Sequence, residues 1–128
     1  MRYYFNKTVE GDFDDVVDRV VESLKQDGFG VLTDIDVKQT LHKKLGVEFR
    51  NYRILGACNP GFAYQALQAE DKIGTMLPCS VIVQEIAPGE VEVAAIDPLA
   101  SMQAVENQEL GPVAHTVQQK LKAVVDRV

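Results

Sequence analysis

The residues of this chain best suited to chemistry are its two cysteines, each beside a proline-marked boundary: Cys58 in "GACNP" (56–60) and Cys79 in "LPC" (77–79). A thiolate is both a nucleophile and a soft metal ligand, and its pKa falls where unpaired N–H groups and the positive end of a helix dipole lie close by. Asn59 and Pro60 are the residue types of an N-cap and a first helical position, so Cys58 stands just ahead of such a start. Asp97, in the Asx-Pro pair 97–98, adds a carboxylate able to accept a proton or anchor a ligand. Cys58, Asn59, Cys79 and Asp97 are therefore the candidate ligand-binding residues. Two chemistries suit them. One is the binding of a small anionic or soft ligand at a helix N-terminus. The other is sulfur transfer or redox exchange, with Cys58 as attacking thiolate, Cys79 as resolving thiol and Asp97 as proton acceptor.

A packing role competes at every one of these positions. Free cysteine is among the most buried residue types, Asn59 can serve only as a cap, and an Asp before Pro commonly does no more than close a turn. Other constellations are weaker still. His42 and His115 fall on polar helix faces, and no His-x-His, Cys-x-x-Cys or His-Glu-x-x-His spacing calls for a metal. Met76 and Met102 would complete a soft Cu(I) ligand set with the cysteines only if loops brought all four together, and packing is the commoner role of methionine. Gly28 and Gly30 are not followed by Gly-Lys-Ser/Thr, so no phosphate cradle is indicated. Neither a reaction nor a cofactor is legible.

Composition narrows the function further. The 128 residues carry 13 Lys+Arg against 19 Asp+Glu, a net charge of −6, and the basic residues are scattered apart from Lys43-Lys44 and Arg50/Arg53. Nucleic-acid binders gain affinity by neutralising phosphates with clustered cations, so this acidic chain is not expected to be one. No run of 18 apolar residues and no signal-peptide pattern is present, which leads to the expectation of a cytoplasmic protein that neither enters nor crosses a membrane. In that compartment the two cysteines should be free thiols rather than a structural disulfide. Length and the absence of linkers or repeats predict one domain over 1–128.

The elements that must position these residues follow from pattern. "RYYFNKTV" (2–9) reads as a strand. Phe13, Val16, Val17, Val20, Val21 and Leu24 then form a helical stripe, opened by Asp12 and closed by Gly28. "FGVLTDI" (29–35) is a second strand, and Asp36 followed by Gln39 opens a short surface helix, VKQTLHKKL, ended by Gly46. "NYRILGAC" (51–58) is the third strand, and a helix from Pro60 carries Phe62, Ala63, Ala66 and Leu67. "CSVIVQEI" (79–86) and "VEVAAI" (91–96) flank Ala87-Pro88-Gly89-Glu90, a type II turn signature, and so form a hairpin. Residues 98–108 read as irregular or a short helical turn. A last helix opens near Pro112 and points Val113, Val117, Leu121, Val124 and Val128 inward.

This order predicts an α+β two-layer sandwich: a mainly antiparallel sheet with two long helices on one face, plus two short helices. Strand 79–86 has apolar residues on both sides, so its second face needs cover, and a second copy of the chain would supply it; a homodimer is expected. By alternation Glu85 shares the side of Cys79, Val81 and Val83 and reads as an interface charge. If strands 51–58, 79–86 and 91–96 are sequential antiparallel neighbours, all four candidate residues reach one sheet edge. That requires residues 72–78 to run extended over roughly 23 Å, back along a helix roughly 15 Å long. A parallel crossover would instead put Cys79 at the opposite edge from Cys58.

"LGACNPGFAYQAL", "GTMLPCSVIVQEI" and "VEVAAIDP", in this order and spacing, resemble the bacterial and archaeal domain-of-unknown-function family numbered 302, and the likeness covers nearly the whole chain. The resemblance implies a small TATA-binding-protein-like α+β domain, β-α-β4-α in order, that pairs into dimers. It points to Gly56, Cys58 with Asn59 and Pro60, Leu77-Pro78-Cys79 and Asp97-Pro98, and it implies no reaction.

Overall fold

The computed structural model describes residues 2–128. Strand β1 (Tyr4–Glu10) leads through Gly11 into α1 (Phe13–Gln26), whose first turn is capped by the Asp12 carboxylate accepting from the Asp15 N–H at 3.4 Å. Gly28 takes the left-handed φ of +82° that ends this helix, a conformation costly for any residue with a Cβ. Strand β2 (Gly30–Asp36) runs into α2 (Val37–Leu45), where Asp36 accepts from Gln39 N–H at 2.9 Å; this short helix buries no residue, as its narrow stripe implies. Strand β3 (Tyr52–Cys58) gives way to α3 (Pro60–Ala69) and a 3₁₀ helix (Asp71–Met76). The hairpin β4 (Cys79–Ala87) and β5 (Glu90–Ile96) turns on Pro88-Gly89, with Gly89 at φ +78° as a type II turn requires. A single turn, α4 (Pro98–Ser101), precedes α5 (Leu110–Arg127).

All five strands form one sheet in the order β1-β5-β4-β3-β2, and every neighbouring pair is antiparallel. The protein is an α+β two-layer sandwich, with α1 and α5 packed on one sheet face. Register decides which side chains they cover. Ala57 lies opposite Cys79, Leu55 opposite Val81, and Val83 opposite Val93, so one face presents Leu55, Ala57, Cys79, Val81, Val83, Val91, Val93 and Ala95, all buried. Val16, Val20 and Leu24 of α1 and Leu121 and Val124 of α5 close over them with no solvent exposure. Fully burying a side chain of this size is worth about 1.5–3 kcal/mol, so the helix face carries most of the fold's apolar stabilisation. A few polar contacts hold the two helices in place. Buried Ser23 donates to Val124 O at 2.7 Å, and Lys7 from β1 donates to Asp126 O and Val128 O at 2.9 and 2.7 Å, satisfying carbonyls at the end of α5.

One expectation about a connection needs correction. The return from α3 to β4 is compact rather than extended. Six residues of 3₁₀ helix rise about 12 Å, close to the roughly 15 Å length of α3, so a folded-back helix spans the distance and buries Ile73 on the way. The last helix opens near Pro112, as expected, with its first residue at Leu110; a proline within the first turn removes only an N–H that has no intrahelical partner there.

Among the described residues no helix buries side chains against the opposite sheet face. Across it runs an apolar row, Ile35, Ile54, Ile82 and Ala94, in which each residue lies opposite the next. Beside the row is a ladder of polar side chains. Arg50 donates to Gln84 at 2.8 Å, Gln84 to Glu92 at 2.7 Å and Asn6 to Glu92 at 3.0 Å, with Arg2 donating to Asn6 at the far end. Tyr4 and Tyr52 flank a shallow depression of about 360 Å³ on this face.

Candidate functional site

The antiparallel β3–β4 pair brings Cys58 and Cys79 to the same end of the sheet. Both, with Asn59, line one narrow cavity of about 40 Å³ between that sheet edge, the first turns of α3, and α5. Small side chains make the room: Ala63 and Ala66 of α3 face Ala114 of α5 across it, and Phe29, Phe62 and Val117 supply larger apolar walls. Leu77 and Pro78 enter by the turn into β4, where the Leu77–Pro78 peptide bond is cis. Met102, after α4, contributes a third sulfur-bearing side chain. No lysine, arginine, histidine, aspartate or glutamate lines the cavity.

The cavity's position rests on a close approach at Gly56. A Cβ there would lie 2.1 Å from Thr33 Oγ1 and 2.7 Å from Pro78 Cγ, so only glycine lets Pro78 fold over β3 beside the cysteines. A register shift in β2 between Val31 and Thr33 sets Thr33 opposite Gly56.

Asn59 occupies the N-cap position and Pro60 the first helical one, but the Asn59 side chain makes no capping bond. Its Nδ2 instead donates to Asp27 O at 3.2 Å, and the close presence of Gly28 leaves room for the amide to reach across. The Asp27 carboxylate is held in turn by Arg127, with Lys120 at 3.8 Å, so Asn59 ties the start of α3 to the end of α1 and to α5. The capping role read from its type and position is thus replaced by a tertiary one. The free backbone N–H groups of α3 consequently receive no side-chain acceptor from Asn59.

Asp97 stands apart from the other three. It caps α4 by accepting from Leu99 N–H at 3.0 Å, and both carboxylate oxygens accept from Gln118 Nε2, at 3.1 and 3.2 Å. Its neighbour Pro98 lines the cavity; Asp97 itself borders a separate surface recess with Arg2, Tyr4, Asn6 and Lys122. The chain turns at the strand end, and consecutive residues there face different ways.

The two thiols are free. Burial pushes the Cys79 thiol up to about 11, with a smaller contribution from nearby Cys58, so at neutral pH Cys79 is an uncharged thiol in an apolar wall. Cys58 is half-buried at the cavity's edge. His42 and His115 are both exposed, and neither lines the cavity. Among the described residues no group of three or more His, Cys, Asp and Glu side chains converges. Met102, weighed from the sequence only as a soft-ligand alternative, does line the cavity, and Leu110 and Ala114 are among the lining residues that the sequence did not point to. Their signal was faint: an alanine within an otherwise valine- and leucine-rich stripe, and a leucine just ahead of the helix start marked by Pro112.

An antiparallel sheet of order β1-β5-β4-β3-β2 under two long helices, with a thiol-lined apolar cavity at the β3–β4 end, defines a class of small α+β sandwich. The sequence profile of Domain of unknown function DUF302 matches residues 5–128, and the chain belongs to that family. It superposes with a TM-score of 0.91 on the crystal structure of an uncharacterized conserved DUF302 protein from Bacillus stearothermophilus, at 29% identity, covering 99% of this chain and 98% of that one. No curated protein matches the chain. Among the described residues no helix is long and apolar enough to cross a membrane.

Proposed function

We propose that the chain is a cytoplasmic, homodimeric accessory module that binds a small soft or apolar ligand in the cavity lined by Cys58, Asn59 and Cys79. The observation that carries this reading is the convergence of both cysteines on one apolar cavity at the start of α3. The absence of a lining cation favours a soft or apolar ligand over the anionic one that a bare helix N-terminus would suit. Binding is preferred over thiol catalysis because Cys79 is held protonated and Asp97 is turned away with its oxygens engaged. The apolar row on the uncovered sheet face supports pairing with a second copy, since contiguous apolar surface of this kind is usually covered.

Xenon uptake followed by amide NMR tests the cavity. Shifts are expected in α3 and α5 of the wild type and should vanish in Ala63→Leu, which fills the space; no localised shift in the wild type refutes the reading. Sedimentation across a dilution series tests the dimer, with Ile82→Glu expected to hold the chain monomeric. A wild type that stays monomeric at high concentration refutes that part.

A further inference from the structure

The uncovered sheet face is uneven in a way that suits a second copy of itself. Its middle row runs Asn6, Ala94, Ile82, Ile54, Ile35 across β1-β5-β4-β3-β2, so bulk stands at the β2 end and a small residue at the β5 end. Ile35 is 47% exposed, while Ala94 and Ser80 lie in the depression of about 360 Å³ that Tyr4 and Tyr52 flank. Just past Ile35, α2 buries none of its side chains, and its stripe of Val37, Leu41 and Leu45 ends in a leucine that is 69% exposed.

Charge is divided along the same line. Helix α2 carries Lys38, Lys43 and Lys44 and no acidic residue, and among the described residues none of these lysines enters an ion pair. With about 3.6 residues per turn, Lys38 and Lys44 flank the apolar stripe. At the opposite edge of the face Glu10 lies directly across from Glu90, with Glu92 one step further along β5, and among the described residues none of the three is ion-paired. Like charges directly opposite on a sheet destabilise it, so this pair gains from a cation that the chain does not itself supply.

A surface that meets its own copy in a closed pair does so about a two-fold axis. An axis parallel to the strands and over β4, the central strand, lays β3 of one copy over β5 of the other and β2 over β1. Ile82 then meets Ile82, Ile54 lies over Ala94, and Ile35 lies over Asn6. Strand β2 runs toward the Glu10–Glu90 end of the sheet before entering α2, so the partner's α2 arrives above those glutamates. Five strands about 4.8 Å apart, with about seven residues at about 3.3 Å each, give a face of roughly 550 Å². Two such faces pass the roughly 1,000 Å² expected of a stable interface before α2 is added. Edge-to-edge pairing through β2 is less suited, because the register shift between Val31 and Thr33 interrupts the edge that a new strand would need.

We infer that two copies pair face to face about this axis, with Lys38 and Lys44 of each α2 set against Glu10 and Glu90 of the other copy. This rests on the homodimer reading and names the segment of the second copy that covers the face.

Exchanging the charges tests the contact by sedimentation equilibrium of the full chain. Lys38→Glu/Lys44→Glu and Glu10→Lys/Glu90→Lys should each raise the dimer dissociation constant by about tenfold or more, since each sets like charges together twice in the pair. The four residues are exposed, and the second variant exchanges one like-charged pair for another, so the fold itself is little disturbed. Mixed in equal amounts, the two variants should form a heterodimer as tight as the wild-type dimer, because both contacts then join lysines to glutamates. Variants that dimerise as the wild type does, or that stay apart on mixing, overturn the contact; if the wild type is dimeric, pairing itself then stands. A monomeric wild type overturns both.

Discussion

The two faces of the sheet are built from the same strands by alternation, yet they solve different problems. On the helix face Val81, Val83, Val91 and Val93 are fully buried, and a small cavity lies where alanines line the space near the cysteines. On the other face the residues one step along the same strands, Ile82, Gln84, Glu92 and Ala94, form a half-buried apolar row beside a hydrogen-bonded polar ladder. One face is closed by its own helices around a small fixed space; the other is left for solvent or a partner. The contrast teaches that the cysteines owe their environment to register: Cys79 opposite Ala57 lies on the closed face, and a slip of one residue would put it beside the ladder.

The sharpest way to break this arrangement is at Gly56, where the two faces are locked together at the site end. Gly56→Ala forces its Cβ into Thr33 and Pro78 and is expected to cost at least about 3 kcal/mol by urea denaturation. Thr33→Ala should recover part of that loss by removing the nearer clash. Next comes the buried thiol. Raised from 9.0 to about 11, the Cys79 pKa gives a contribution that is fully present below pH 9 and lost as pH rises through about 11. Stability should therefore fall by up to about 3 kcal/mol over that range, and Cys79→Ala should lack this component of the alkaline loss.

A direct comparison of the faces uses neighbouring residues on β4. Val83→Ala, beneath the helices, should cost about 2 kcal/mol, and Ile82→Ala, measured at high dilution, less than about 1. Equal costs would mean that the second face is as closed as the first. For Asn59→Ala a loss of about 1 kcal/mol is expected from the broken bond to Asp27 O. Asn59→Ser separates the causes: serine is as good an N-cap, so a rescue would restore capping as the explanation, and no rescue supports the tie to Asp27. The smallest effect belongs to the β2–β3 edge. The Arg53 guanidinium grips Asp34 at 2.8 and 2.6 Å and lowers the carboxyl's pKa. That contribution is present above the ordinary value of 3.8 and is lost as pH falls through the lower folded value. Arg53→Gln should remove it, at below about 1 kcal/mol, because the pair is part-exposed.

Local signals proved legible where the physics is local. Asp12 and Asp36 cap helices three residues long in reach, Gly28, Gly46 and Gly89 take positive φ at helix ends and a turn, and the 3.6-residue stripes of α1 and α5 name the buried positions. Cys58, Asn59 and Cys79 could be named from residue type and boundary position alone, and residue patterning placed the strands and long helices in the observed order, with which the family likeness agrees. The rest depended on partners far away in sequence. Asn59 bonds a carbonyl 32 residues back, Gly56 is required by Thr33 and Pro78 together, and Met102 reaches the cysteines only because α4 and α5 fold over the sheet edge. Asp97 shows the limit from the other side: its motif looked equivalent to that of Asn59, and the turn of the chain, with Gln118 waiting on α5, directed it elsewhere. Residue type and periodicity determine which groups exist and which elements hold them, since those rest on propensity and local hydrogen bonds. Whether two cysteines and a methionine line one small cavity depends on strand register and helix packing, which are long-range contacts that no window of sequence contains.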